Sequence, residues 1–168
     1  MIAYLKIRRG LTLVELAVVL AIIGILVAAM IPGLGRWLSH YRIKSMAGDI
    51  ASSFRLAQMT AVQRNRNCSV EFNTNTRRVR VLDSGGAALR LLNLDEYNAQ
   101  FNGFDFVDQG GDGIISIIYN SRGIPSDEIG SPLTPPGGQD GQRVNVINAR
   151  GESYWVEVTP VGAVRYDR

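Results

Sequence analysis

The sequence predicts an α+β protein in which one long N-terminal helix is packed against an antiparallel β head. Three observations predict it. Leu11 to Ile31 is a run of 21 residues that is apolar apart from Thr12, Glu15 and Gly24. Beyond it, Ile43, Ala47, Ile50, Phe54, Ala57 and Ala61 recur at spacings of three and four, one stripe of an amphipathic helix. After Arg66 that period stops, and short β-branched runs separated by Gly, Asn and Pro take over.

At 1.5 Å per residue the apolar run spans roughly 32 Å as a helix, about one bilayer core. Met1 to Gly10 carries Lys6, Arg8 and Arg9 and no acid, so it is expected to stay in the cytoplasm. A secretory signal peptide places a small-residue cleavage site after its apolar region. Here the small residue, Gly10, comes before it, so a cut after Gly10 removes the basic leader and keeps the helix. Glu15 is the oddity. A charged side chain inside a spanning helix costs about 2.5–3.5 kcal/mol on insertion scales, and it calls for a partner and a purpose. A plain anchor would gain nothing from it.

Gly10 followed by Leu-Thr-Leu-Val-Glu resembles the processing site of type IV pilins and type II secretion pseudopilins. The resemblance implies that a prepilin peptidase cuts after Gly10 and methylates the new terminal amine of Leu11. It also implies that Glu15 docks the subunit against a neighbour's amine during filament assembly. Gly24 and Pro32 fall where many members have a glycine and a proline. Leu11 departs from the usual phenylalanine.

The chain has 18 Lys and Arg against 15 Asp and Glu, a formal charge of +3. The leader accounts for the whole excess, so the high isoelectric point does not point to nucleic acid. Residues 36–80 are basic, with only Asp49 and Glu71 opposing nine Lys and Arg. Residues 81–168 are acidic, with twelve Asp and Glu against six Arg. A basic stem beneath an acidic head suggests complementary packing between stacked subunits. Cys68 is the single cysteine, so no internal disulfide is available, and its neighbours Val70 and Phe72 suggest a buried apolar filler.

Four segments follow: a leader at 1–10, a transmembrane and assembly helix at 11–35, an amphipathic stem at 36–66 and a β-rich head at 67–168. Pro32 and Gly33 are the expected helix break, by a kink or a melted turn. Arg36 and Trp37 read as an interfacial pair. Lys44, Asp49, Ser52, Arg55 and Gln58 fall on the wet side of the stem. Cys68–Phe72 and Arg78–Leu82 form a hairpin around Asn73-Thr74-Asn75-Thr76. Ala87–Leu94 reads as strand or short helix. Phe104–Val107 is an expected strand with Phe104 and Phe106 on one face, and Ile114–Tyr119 the expected central strand. A long loop from Gly123 to Gln142 precedes a second hairpin, Arg143–Ile147 and Tyr154–Thr159, and a last strand, Val164–Tyr166.

The segment Ala57-Gln58-Met59-Thr60-Ala61-Val62-Gln63-Arg64, running into Cys68-Ser69-Val70-Glu71-Phe72, resembles the stem-to-strand segment of H-type (GspH) pseudopilins and FimT-type minor pilins. Ala61 and Arg64 match; Gln58 stands where arginine is usual. This resemblance implies two small sheets in the head.

Other chemistry is weak. Asp108-Gln109-Gly110-Gly111-Asp112-Gly113 lacks an EF-hand's oxygen ligands at the third position, Gly110, and the twelfth, Tyr119, so a glycine-rich turn is expected and no metal. His40 is the single histidine, no nucleophile–base set is evident, and neither an enzyme nor a cofactor is expected. FimT-type minor pilins take part in DNA uptake through a basic C-terminal region. Arg165 and Arg168 are the candidate DNA contacts here, but Asp167 lies between them, and clustered positive charge is what phosphate binding needs. The expected protein is a minor pseudopilin of the type II secretion pseudopilus, or alternatively a FimT-like minor pilin. It would be held in the bacterial inner membrane with its head in the periplasm. Its partners would be the prepilin peptidase, other pilin or pseudopilin subunits and secreted cargo, not nucleic acid.

Overall fold

The computed structural model describes residues 12–106, 108, 110–135 and 140–168, and of residues 30–34 the backbone alone. Gly10 and Leu11 lie outside the described residues. Helix α1 runs Leu13–Arg64 and includes Pro32 and Gly33. Two compact units split the chain at Leu38/Ser39. In the first, every Leu, Ile and Val from Leu13 to Val27 is exposed, so the helix is apolar on all sides. Such a surface is stable only under lipid or protein.

The second unit begins with the rest of α1, the stem. All six stripe residues, from Ile43 to Ala61, have no exposed area. Met46, Ala51 and Ser53 join them, widening the buried face beyond what the spacing alone marked. The stem ends where Asn65 turns left-handed at φ 50.

Strands β1 (Cys68–Asn73), β2 (Arg78–Leu82) and β3 (Ala88–Asn93) lead into a 3-10 turn at Leu94–Tyr97 and β4 (Ala99–Phe104). Then come β5 (Ile114–Tyr119), β6 (Pro125–Ser126), β7 (Gln142–Asn148), β8 (Ser153–Val158) and β9 (Val164–Asp167). Two antiparallel sheets result, in the orders β3-β2-β1-β5-β6 and β4-β7-β8-β9. The α+β class and the pair of small sheets are as expected. In β1 and β5 buried and half-buried residues alternate, the period-two pattern of a half-covered sheet. The β1–β2 turn is held by Asn73, whose Oδ1 accepts from the Thr76 N–H at 2.8 Å.

One open alternative is resolved and two elements differ from expectation: β6 lies inside the loop expected from Gly123 to Gln142, and β4 is shifted. The segment Ala87–Leu94 resolves to strand β3 with the 3-10 turn after it, because Asn93 caps that turn: its side chain accepts from the Asp95 N–H. The strand expected at Phe104–Val107 is displaced. β4 ends at Phe104, having run Ala99–Phe104 along β7 with a bulge between Phe101 and Gly103. Phe106 lies past the strand and is buried, and Val107 lies outside the described residues. Asn102 and Gly103 have low strand propensity, and pairing with β7 overrides it.

Stem and sheets share one core. Phe72 of β1 is its junction: its ring lies 5.6 Å from Phe54 of the stem, 5.9 Å from Phe101 and 5.7 Å from Phe104, both of β4. One aromatic cluster therefore ties the helix to both sheets. Tyr119, also fully buried, has a hydroxyl with no hydrogen-bond partner among the described residues, and burial drives its pKa up.

Thermal unfolding checks both features. Phe54→Ala should cost about 3–5 kcal/mol, the usual penalty for emptying a large core site. Tyr119→Phe should leave stability unchanged or raise it, because it deletes an unsatisfied buried hydroxyl; a loss of more than about 1 kcal/mol would show that the hydroxyl is bonded.

Candidate assembly site

The described part of the N-terminal motif begins at Thr12. Its Oγ1 accepts from the Glu15 N–H at 3.2 Å, and its carbonyl accepts from the Leu16 N–H at 3.1 Å. Thr12 is thus the N-cap of α1, and the Thr-x-x-Glu spacing is that of a capping box. This signal was available in the sequence but went unread there. Glu15 in the first turn also complements the positive end of the helix dipole. Its side chain is exposed, and no cation stands within ion-pair distance among the described residues. Glu15 therefore has a local stabilising role at the start of the helix. Among the described residues no helix is long and apolar enough to cross a membrane. Described side chains of the apolar run stop at Ala29, two residues before its end at Ile31.

Three cations of the basic stretch over residues 36–80 are paired within the chain. Arg64 pairs with Asp83 at 3.4 Å, Arg77 with Asp95 at 3.2 Å and Arg80 with Glu71 at 2.7 Å. Asp49, assigned to the wet side, is anchored to the head by Arg90 at 2.8 Å and by the Tyr97 hydroxyl, which donates to it at 2.9 Å. Gln58 is similarly engaged. Its Nε2 donates to the Gly123 carbonyl at 2.9 Å, and a Cβ added at Gly162, where φ is +84, would collide with it. Two glycines thus make room for the Gln58 side chain.

His40 meets the β7–β8 hairpin. Its Nε2 lies 3.3 Å from the Tyr154 hydroxyl and its Nδ1 3.7 Å from Glu152, whose other oxygen accepts from Asn148 at 2.8 Å. This is a docking contact between stem and sheet with no nucleophile in it. Glu157, 3% exposed, receives Nε and Nη2 of Arg143 at 3.2 Å each, and that guanidinium covers the Trp155 ring at 4.6 Å. The pair is a half-buried salt bridge, with Glu157 covered and Arg143 partly exposed.

Asp108 accepts from the N–H groups of Gly111 at 2.7 Å and Gly113 at 2.8 Å, and Asp112 accepts from Ile114 at 2.9 Å. The carboxylates thus fold their own turn, and among the described residues no cluster of acids, His or Cys is arranged to hold a metal ion. At the C-terminus Arg165 pairs with Asp140 at 3.6 Å, while the Arg168 N–H donates to Asp167. Cys68 is buried, its Sγ 3.0 Å from the Leu82 carbonyl, and burial pushes its pKa up.

Residues 5–31 match the family model of the prokaryotic N-terminal methylation motif. That motif leads into a helical stem that shares one core with two antiparallel sheets. Among solved structures the fold is similar to that of the minor pseudopilin EpsH from the Type 2 Secretion System of Vibrio cholerae. The two share 14% identity at a TM-score of 0.53, over 75% of this chain and 96% of that one. No curated protein matches the chain in sequence.

The Asp49–Tyr97 bond sets a pH limit. Burial, then the hydrogen bond to Asp49, push the Tyr97 phenol up to about 12. A folded pKa raised above the free value of about 10 means a contribution that is full below pH 10 and lost as pH rises through 12. Melting temperatures taken from pH 9 to 12 should fall, and Tyr97→Phe should flatten that fall. An equal slope in the variant would remove Tyr97 from the account.

Proposed function

We propose that the chain is a minor pseudopilin, a structural and non-enzymatic subunit of a type II secretion pseudopilus. The observation that carries it is the conjunction of an N-terminal methylation motif with an EpsH-like fold. In this reading a prepilin peptidase cuts between Gly10 and Leu11 and methylates the Leu11 amine. The basic leader holds the N-terminus in the cytoplasm, the 11–35 helix sits in the inner membrane, and the head lies in the periplasm. The all-round apolar surface from Leu13 to Val27 supports that placement, since lipid covers it before assembly and neighbouring helices afterwards. Glu15 guides the helix out of lipid by pairing with a neighbour's amine, and Pro32 and Gly33 are where the helix would yield on entering the bundle. The head presents its loops to neighbouring subunits or cargo.

The alternative machine is a type IV pilus with a FimT-like subunit active in DNA uptake, in which Arg165, 3.6 Å from Asp140, would have to leave that pair to contact phosphate. Shearing cells to strip surface filaments and taking the intact mass in both fractions tests the proposal. A mass lacking Met1–Gly10, retained with the envelope, is expected. A full-length mass in processing-competent cells would overturn the pilin reading, and recovery with sheared filaments would favour the pilus. Glu15→Ala should be processed normally yet fail to enter the filament; normal incorporation would end the docking role.

A further inference from the structure

Four exposed apolar side chains gather at the last turns of the stem. Met59 and Val62 lie one helical turn apart on α1 and are 59% and 51% exposed. Ile124 and Val161, 43% and 78% exposed, sit on two turns packed against the same face. A Cβ added at Gly123 would stand 3.1 Å from Val62, and one at Gly162 would collide with Gln58 and the Gly123 carbonyl. Both turns are preformed. Asn120 Oδ1 accepts from the N–H groups of Arg122 at 2.9 Å and Ile124 at 3.1 Å. Thr159 Oγ1 accepts from the Ala163 N–H at 2.9 Å, and the Thr159 carbonyl from the Gly162 N–H at 2.8 Å. The Gln58 amide, donating to the Gly123 carbonyl, clamps the first turn to the stem. Little conformational entropy remains to be lost when a partner covers a surface held this way.

The rim of the patch is cationic. Residues 55–66, 120–126 and 159–165, the segments that meet here, contain five Arg and no Asp or Glu. Arg64 and Arg165 reach acids elsewhere in the chain, Asp83 and Asp140. Arg55 and Arg122 make no ion pair among the described residues; Arg55 donates to the Val164 carbonyl at 3.3 Å. The matching surface is therefore apolar at its centre and acidic at its edge. Two such patches face to face would set like charges together, which argues against a symmetric pair of copies. Nucleic acid would answer the arginines but leave the apolar centre unmatched.

Size narrows the occupant further. A stable free-standing interface takes about 800 Å² from each partner, or roughly 20–30 residues. Four side chains fall well short of that. A patch this small holds only a partner kept beside it by other contacts, for which the effective concentration is high. We propose that the patch docks a neighbouring filament subunit of a different kind, through an apolar side chain set among Asp or Glu residues. The inference rests on the reading of the chain as a filament subunit. The partner's apolar group enters between Val62, Ile124 and Val161, and its carboxylates pair with Arg55 and Arg122.

Photocrosslinking in intact cells tests this with the full chain. Benzoylphenylalanine in place of Val161 should link, on irradiation, to a different pilin-type subunit at a position beside Asp or Glu. Adding Arg122→Glu should cut the linked fraction about fivefold, the scale of one ion pair, and changing the partner's acid to Lys should restore it. Val161→Asp should lower incorporation into the filament and leave the melting temperature unchanged, because that side chain is 78% exposed. Linkage to a second copy of this chain, to secreted cargo, to nucleic acid or to lipid would overturn the assigned partner. Processed protein that incorporates normally and gives no link would overturn the patch while leaving the subunit reading intact. Unprocessed protein would instead bring down the subunit reading, and this proposal with it.

Discussion

Burial of a single helical stripe is what the head depends on. Ile43, Ala47, Ile50, Phe54, Ala57 and Ala61 are wholly covered, and the two sheets meet in the core that this stripe anchors. Neither sheet is large: one has five strands, of which β6 is only two residues long, and the other has four. Small sheets bury too little on one face to stand alone. Phe72, touching rings from the stem and from β4, makes that dependence concrete, because emptying the Phe54 site loosens both sheets together.

The same helix carries two different surfaces in succession. Apart from Glu15, its exposed side chains from Leu13 to Val27 are apolar, whereas from Ile43 onwards a single apolar face is buried. Its start is chemically prepared as well. Thr12 satisfies the Glu15 N–H and leaves the carboxylate exposed, so the residue that reads as an expensive charge is partly repaid at the cap.

Most of this was legible from local patterns. The stem stripe, the β1–β2 hairpin, β5 and the β7–β8 hairpin follow from period, β-branching and turn residues, and the structure places them within a residue or two. β4 was misplaced because Asn102 and Gly103 read as loop, and only their pairing with β7 makes them strand. The N-terminal motif was legible because its meaning lies in contiguous residues. What was hidden depended on contacts distant in the sequence. Asp49 looked solvated until Arg90 and Tyr97 were folded onto it, and Gln58 looked like a lost arginine until Gly123 and Gly162 closed around it. The basic-stem, acidic-head contrast pointed to contacts between subunits, yet several of those charges pair within the chain.

Cys68 carries a consequence for how the protein matures. Thiol exchange proceeds through an accessible thiolate, and this sulfur is covered and bonded to the Leu82 carbonyl, and burial raises its pKa. Once the head has closed, oxidants and disulfide-exchanging catalysts have no reactive group to engage in it. An oxidising and a reducing compartment are then equivalent surroundings for the folded head, and its persistence there is set by packing alone.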